Sequence, residues 1–363
     1  MFSPRQLYQR LIAPIDPPLM SLAALLLGYA LLVLASASPE RLTSQALNML
    51  VALIVMRLAA QVPPQKLMHF ALPIFISGLV LLIAVALFGD ISKGARRWLN
   101  LGFMRIQPSE IMKIAMPLML AWYFQNHETY LRWREYLVAT IILLVPVALI
   151  ARQPDLGTAI LVLAAGCYVI FLAGLSWKVI VALLMSAAAA APFAWSMLRD
   201  YQRARILTLL DPESDPLGKG FHIIQSTIAI GSGGILGKGW GQGTQAQLEF
   251  IPERHTDFVF AVLAEELGLI GITILLILYA LLIGRGLMIA AQAPTLFSRL
   301  LAGAITLIFF TYAFVNMGMV SGLLPVVGVP LPFISYGGTS LVTLFLGIGI
   351  LMSIHKHRML VQK

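Results

Sequence analysis

The chain has 363 residues, 59% of them hydrophobic and only 11% charged, with a formal net charge of +9 and a mean hydropathy of +0.88. So few polar side chains cannot coat a soluble globule of this size, which makes this a membrane protein with no nucleic-acid partner expected. The single cysteine, Cys167, falls in an apolar run, which excludes a disulfide framework within the chain.

Apolar runs long enough to cross a hydrocarbon core of roughly 30 Å recur near residues 17–36, 46–62, 67–88, 108–124, 136–151, 156–174, 178–197, 257–283, 300–322 and 338–354. They predict an all-α, polytopic integral membrane protein of about ten transmembrane helices. One membrane domain covers residues 1–363, with a long structured loop at 198–256 between the seventh and eighth spans. Arg5 and Arg10 precede the first run and "ASAS" closes it, but the run exceeds the ~7–15 residues of a signal-peptide core. It is therefore read as a span. Arg57, near the inner end of the second run, can snorkel to the surface. Lys and Arg in the short connections place both termini on the cytoplasmic side.

Two loops assigned to the outer side are nevertheless basic. Residues 89–107 carry Lys93, Arg96, Arg97 and Arg105, and residues 198–256 carry Arg199, Arg203, Arg205, Lys219, Lys238 and Arg254. Topology does not require these charges, so either a lipid-linked phosphate or the anionic headgroups of membrane lipids, at about 1 kcal/mol per residue, accounts for them. "RDYQRARILTLL" reads as a helix lying on the membrane surface, with Arg199 and Arg203 one turn apart. "FHIIQSTIAI" reads as a short or re-entrant helix with His222, Gln225 and Ser226 near one face. "GSGGILGKGWGQGTQ" is not a P-loop, because Ser232 and Gly239 stand where that motif needs Gly and Ser or Thr. It serves either as a flexible linker or as a backbone cradle for an anionic headgroup.

Ionisable residues cluster at the ends of spans. Pro108 opens the fourth, where Glu110 and Lys113 share a face at i,i+3, either lining a site or clamping helices. Asp155 in "RQPDLGT" stands at the outer start of a helix, as a cap or as a site residue. "EFIPERHTDFVFAVLAEELG" leads from a loop into the eighth span, where Thr256 is expected to cap the helix and Asp257 to enter its first turn. An Asp there stabilises the helix start or acts as a general base. Glu265 lies about 12 Å deeper, and Lys113 about 9 Å below Gln107, on a rise of ~1.5 Å per residue. Lys113 is therefore expected to pair with Glu110 and with Glu265 or Glu266.

The stretch from "HIIQSTIAIGSGG" through "LAEELG", with "RWLNLG", "QPSEIMKIA", "QPDLGTA" and "LPFISYGGTS", resembles the shape, elongation, division and sporulation family along nearly the whole chain. The resemblance implies a bacterial inner-membrane peptidoglycan glycosyltransferase of the elongation type. Such a protein polymerises lipid II into glycan strands on the periplasmic side, beside a class B penicillin-binding protein acting as transpeptidase. It implies Asp257 as the catalytic base. The candidate substrate-binding set is Arg96, Trp98, Asp155, Arg203, Lys219, Gln225, Ser226, Lys238, His255 and Ser335, supported by Glu110, Lys113, Glu265 and Glu266. No resident cofactor is implied, although Mg or Mn is compatible with a diphosphate leaving group. A lipid II flippase or transporter, a division-type member of the family and a non-catalytic scaffold are the competing readings.

Overall fold

The computed structural model describes residues 15–361 apart from 93–94, 101–104, 129–131, 199, 215–218, 249 and 252. Asp16 caps the first helix, its carboxylate accepting from the Leu19 N–H at 3.1 Å, and Pro17 supplies the preset φ of a first turn. The long helices are α1 (Pro17–Ala37), α2 (Leu42–Ala59), α3 (Pro64–Phe88), α4 (Pro108–Asn126), α5 (Trp133–Arg152), α6 (Leu156–Leu172) and α7 (Trp177–Met197). Then come α8 (Asp200–Leu210), α9 (Lys219–Gly233) and the short α10 (Thr244–Gln247), followed by α11 (Val259–Ala291), α12 (Leu296–Val320) and α13 (Gly338–Val361).

Each of the ten predicted runs coincides with a helix, and seven are long and apolar enough to cross a membrane on that measure alone. Among the others, α4 is diluted by Glu110 and Lys113, and α6 has only 17 residues. The first lies inside the bundle, where partner helices rather than lipid cover it, whereas α6 buries one face and leaves Ile160, Leu163, Phe171 and Leu172 exposed on the other. In α4, Met112, Ala115, Met116, Leu120, Ala121 and Phe124 are fully buried. It packs on α3, α6 and α12. The outer helices turn Leu, Ile, Val and Phe outward. Such belts would be costly in water and are what a hydrocarbon solvent requires. On α7 nearly every described side chain is exposed, as expected of a helix surrounded by lipid.

Chain direction alternates, so one face of the bundle gathers the described residues of 38–41, 89–107, 198–258 and 321–337. On the opposite face Arg285 makes a forked contact with Asp16 at 2.6 and 3.0 Å, and His355 Nε2 lies 3.5 Å from the same carboxylate. This joins α1, α11 and α13. The loop-rich face holds a feature absent from the helical reading, a small antiparallel sheet of β1 (Asp90–Ser92), β2 (Ala95–Asn100) and β3 (Arg105–Ile106). Its register pairs Asp90 with Trp98 and Ile91 with Arg96 across a bulge.

The 33-residue α11 is broken at Gly268, whose φ of 62° and ψ of −159° belong to a region that only glycine occupies readily. Backbone groups freed by the break are taken up by the glycine-rich segment. Leu269 and Ile270 N–H donate to Gly234 and Ile235 carbonyls at 2.9 and 3.2 Å, and Lys238 and Gly239 N–H donate to Glu265 and Glu266 carbonyls at 2.9 and 3.1 Å. A Cβ on Gly268 would sit 2.3 Å from Gly237 N, and one on Gly237 would sit 2.1 Å from Glu266 O. Gly233, Gly237 and Gly268 thus serve close backbone-to-backbone packing, and the hydrogen bonds to α11 hold the segment in place where a flexible linker would have none. Gly268 is nine residues from Val259, so the segment dips about 13 Å along α11. The re-entrant reading of residues 221–230 agrees with this descent.

Candidate active site

Asp257 stands at the loop-rich end of α11, but not inside its first turn. The helix begins at Val259 with Phe258 at the N-cap, and the Thr256 hydroxyl turns back to Glu253, donating to Oε2 at 2.9 Å. The expected Thr256 cap is therefore replaced by a tight turn over residues 253–258. What holds that turn comes from distant sequence. Asn316, fully buried in α12, donates from Nδ2 to the Asp257 carbonyl at 2.8 Å and to the Val329 carbonyl at 2.7 Å. Ser335 Oγ donates to the Thr256 carbonyl at 2.6 Å and accepts from Leu331 N–H at 2.8 Å, while Tyr336 N–H donates to the His255 carbonyl at 2.8 Å. The backbone around Asp257 is thereby fixed on both sides.

The return loop, residues 321–337, also packs close to the carboxylate. Gly328 has a φ of +73°, and a Cβ there would lie 3.4 Å from Asp257 Oδ2. At Gly157 an added Cβ would meet the Val327 carbonyl at 2.7 Å, so the start of α6 abuts the same loop. Asp155 caps that helix through Thr158 N–H at 3.4 Å and accepts from Gln107 at 3.1 Å and Ser109 at 3.4 Å. Arg97 Nη1 lies 4.0 Å from Asp155 and Nη2 donates to the Pro154 carbonyl at 3.0 Å. Asp155 is thus a hub that ties the small sheet, α4 and α6 beneath the return loop. His255 is half-buried against Tyr336, ring centroids 5.8 Å apart, with the Arg41 guanidinium over the Tyr336 ring at 5.1 Å. Burial and the nearby Arg41 push the His255 imidazole below its ordinary pKa, so it is neutral at neutral pH.

Beside this assembly an apolar groove of about 590 Å³ runs between α2, α3, α4 and α13. Leu67, Ile74, Ile114, Val342 and Leu346 line its length, and Asn48, Gln107 and Glu110 supply polar groups. Glu110 is engaged by Lys113 Nζ at 2.6 Å and by Thr343 Oγ1 at 3.3 Å. Lys113, 2% exposed, also donates to the Tyr312 hydroxyl. The expected link from Lys113 to Glu265 or Glu266 is therefore corrected, because Tyr312 on α12 fills the place assigned to those acids. Glu265 instead binds Lys238 Nζ at 2.7 Å, Thr244 Oγ1 at 3.0 Å and Gln245 N–H at 3.1 Å, and Glu266 accepts from Ser36 Oγ at 2.5 Å. Both acids hold the glycine-rich segment down.

The cations proposed from sequence for a phosphate clamp divide in the same way. Lys238 is neutralised by Glu265. Arg203 donates to the Trp195 and Ser196 carbonyls at 3.1 and 2.6 Å, closing the end of α7. Arg96 and Lys219 lie in β2 and at the start of α9, but their side chains are outside the described ones, as is residue 199 altogether. Ser226 is buried and donates to the Val320 carbonyl at 2.9 Å, tying α9 to α12, with Gln225 half-buried beside it. Trp98 is half-buried in β2. Asn316 and Tyr312 were not among the sequence candidates. The available signal was an amide in the otherwise apolar run "TYAFVNMGMV", a position where polar groups are expensive without a role.

The FtsW/RodA/SpoVE cell cycle protein family matches residues 18–360. The chain belongs to this family. It is 54% identical to the peptidoglycan glycosyltransferase MrdB of Escherichia coli over 356 residues, covering 96% of this chain and 95% of MrdB. It is 37% identical to the probable peptidoglycan glycosyltransferase FtsW of Geobacter metallireducens, covering 86% of this chain and 84% of that one. Its fold resembles a chain from a solved peptidoglycan synthase complex that coordinates polymerization and crosslinking, with a TM-score of 0.82 at 36% identity, covering 94% of this chain and 98% of that one. It also resembles the crystal structure of the rod shape determining protein RodA of Thermus thermophilus, with a TM-score of 0.72 at 30% identity, covering 94% and 97% respectively. Within the FtsW/RodA/SpoVE family the chain is thus nearer to MrdB than to this FtsW.

Proposed function

We propose that this peptidoglycan glycosyltransferase lengthens glycan strands from lipid II on the outer side of the bacterial inner membrane, with Asp257 as general base. The observation that carries the reading is the fixed placement of Asp257, whose backbone is clamped by Asn316 and Ser335 while the return loop packs against its carboxylate. The proton of the acceptor sugar's 4-hydroxyl passes to the Asp257 carboxylate as that oxygen bonds to the donor's C1. The bond from C1 to the diphosphate breaks, and its electron pair leaves with the phosphate oxygen. A polyprenyl chain suits the apolar groove between α2, α3, α4 and α13.

The Lys and Arg bias supports cytoplasmic termini and an extracytoplasmic loop-rich face. A class B penicillin-binding protein is the expected transpeptidase partner, a reading supported by the likeness to a synthase complex. The identity to MrdB favours elongation over division. Among the described residues no three His, Cys, Asp or Glu side chains gather as a metal cage, so a Mg or Mn ion would be carried mainly by the diphosphate oxygens.

The test is polymerisation of purified lipid II in detergent, with the partner present. No movement across a bilayer is needed there, so a transporter alone yields no polymer. Asp257→Asn should abolish strand growth while the melting temperature holds, since basicity is removed with little change in size. Strand growth near the wild-type rate would overturn the assignment of the base.

A further inference from the structure

Gln45, near the start of α2, is fully buried, while Thr43, Ser44, Ala46 and Leu47 around it are exposed. A buried amide in a membrane helix is expensive without a role. Asn48, one turn further on, lines the apolar groove, but Gln45 is not part of that lining.

Both ends of the Gln45 amide act on one tripeptide of the return loop. Nε2 donates to the Ser335 carbonyl at 3.4 Å, and Oε1 accepts from Gly337 N–H at 3.4 Å. The residue between them is gripped from the same helix, since the Arg41 guanidinium at the N-cap of α2 lies over the Tyr336 ring at 5.1 Å. Asn48 closes the far side, where a Cβ on Gly338 would lie 2.9 Å from its Oδ1. Arg41, Gln45 and Asn48 stand at i, i+4 and i+7, so one face of α2 holds residues 335–338.

The held stretch is the one that fixes the turn before Asp257. Ser335 Oγ donates to the Thr256 carbonyl at 2.6 Å and Tyr336 N–H donates to the His255 carbonyl at 2.8 Å. Contacts therefore run from α2 through the return loop to the backbone on the N-terminal side of Asp257, and Asn316 takes the Asp257 carbonyl itself. Amide hydrogen bonds of 3.4 Å are long and add little stability. What they set is where residues 335–337 stand.

We infer that Gln45 is a positioning residue for glycan polymerisation, placing the Asp257 carboxylate through Ser335 without touching substrate. This rests on the reading of Asp257 as the base. It also gives the groove and the base a common support, because Asn48 on the same face of α2 borders the groove.

Full-length protein with its partner is assayed on lipid II in detergent as wild type, Gln45→Met, Ser335→Ala, the double variant and Gln125→Met. Each is given a melting curve and hydrogen exchange over residues 253–258. Gln125 is the control, since its Oε1 accepts from Phe297 N–H at 2.8 Å on the opposite face of the bundle. Its loss should lower the melting temperature and leave kcat unchanged. A misplacement of about 1 Å at a reacting group costs about 100-fold, so Gln45→Met should lower kcat by about 10- to 100-fold with KM for lipid II held within about 2-fold. Exchange over 253–258 should quicken in Gln45→Met and not in Gln125→Met. Since Gln45 acts through Ser335, adding Gln45→Met to Ser335→Ala should cost less than about 3-fold more. Equal fold losses in the two backgrounds overturn the inference. So does a raised KM at constant kcat, which would make Gln45 a substrate contact, and so does a kcat loss no larger than that of Gln125→Met at a matched fall in melting temperature. If Gln45→Met does not fold, Gln45→Asn, which keeps the amide but withdraws it by one methylene, carries the same cycle. A wild type that makes no polymer sinks the polymerase reading itself, and the inference with it, before any variant is compared.

Discussion

Replacing Lys113 by Met tests how the buried charges are partitioned. Lys113 is 2% exposed and its ammonium binds Glu110 at 2.6 Å and the Tyr312 hydroxyl. Once it is removed, Glu110 keeps only the weak contact from Thr343 at 3.3 Å among its described partners. A buried charge left without its counter-ion costs roughly 3–5 kcal/mol, and the lost hydrogen bond to Tyr312 adds about 1 kcal/mol. Lys113→Met should therefore destabilise by ~4–6 kcal/mol on these two contributions. Combining it with Glu110→Gln removes the stranded carboxylate and should recover about 1–3 kcal/mol, the usual range of coupling between residues in contact. Thermal unfolding in detergent measures the cycle, and polymerisation is followed in parallel. Lys113→Met combined with Glu265→Gln should be additive, because Glu265 answers to Lys238. Additivity with Glu110→Gln, or strong coupling to Glu265→Gln, would refute the assignment.

Gly268→Ala should lower stability by at least ~2 kcal/mol, since the positive φ is strained for alanine and the new Cβ would lie 2.3 Å from Gly237 N, and faster proteolysis of the 233–243 segment would report its release. Asn316→Leu leaves the Asp257 and Val329 carbonyls buried without their donor, at about 1–3 kcal/mol, and should cut kcat more than it raises KM for lipid II. Burial alone would raise the Asp16 carboxyl, but Arg285 outweighs it and holds the carboxyl below the ordinary carboxylate range. The stability it contributes is therefore present above that ordinary range and is lost as pH falls through the depressed folded value. Arg285→Ala should raise the pH at which acid unfolding begins, as read from melting curves across an acid series.

The helices were legible because a hydrocarbon solvent imposes a simple rule on composition, and each predicted run coincides with a helix, seven of them long and apolar enough to cross a membrane. Local chemistry was legible too, as with Pro108 opening α4 and Glu110 meeting Lys113 one turn later. Contacts between distant segments were not. Nothing in "HTDF" announces that its backbone waits for Asn316 and Ser335, which lie 59 and 79 residues beyond their partners. Depth along a span identified Glu265 and Glu266 as acids needing partners, but depth has no azimuth, and Lys113 at a similar depth faced Tyr312 instead. The glycine-rich segment shows the same limit from the other side. Its composition permits a flexible linker, a headgroup cradle or tight backbone packing, and the choice was made by Gly268 in another helix, whose broken turn exposed the backbone groups that the segment had to satisfy. That contact also explains why two adjacent acids follow Asp257 into the membrane. Glu265 and Glu266 anchor the re-entrant segment through Lys238 and through their own backbone carbonyls, and the far end of that segment leads back to Asp257, so they bear on where Asp257 stands and not on its charge.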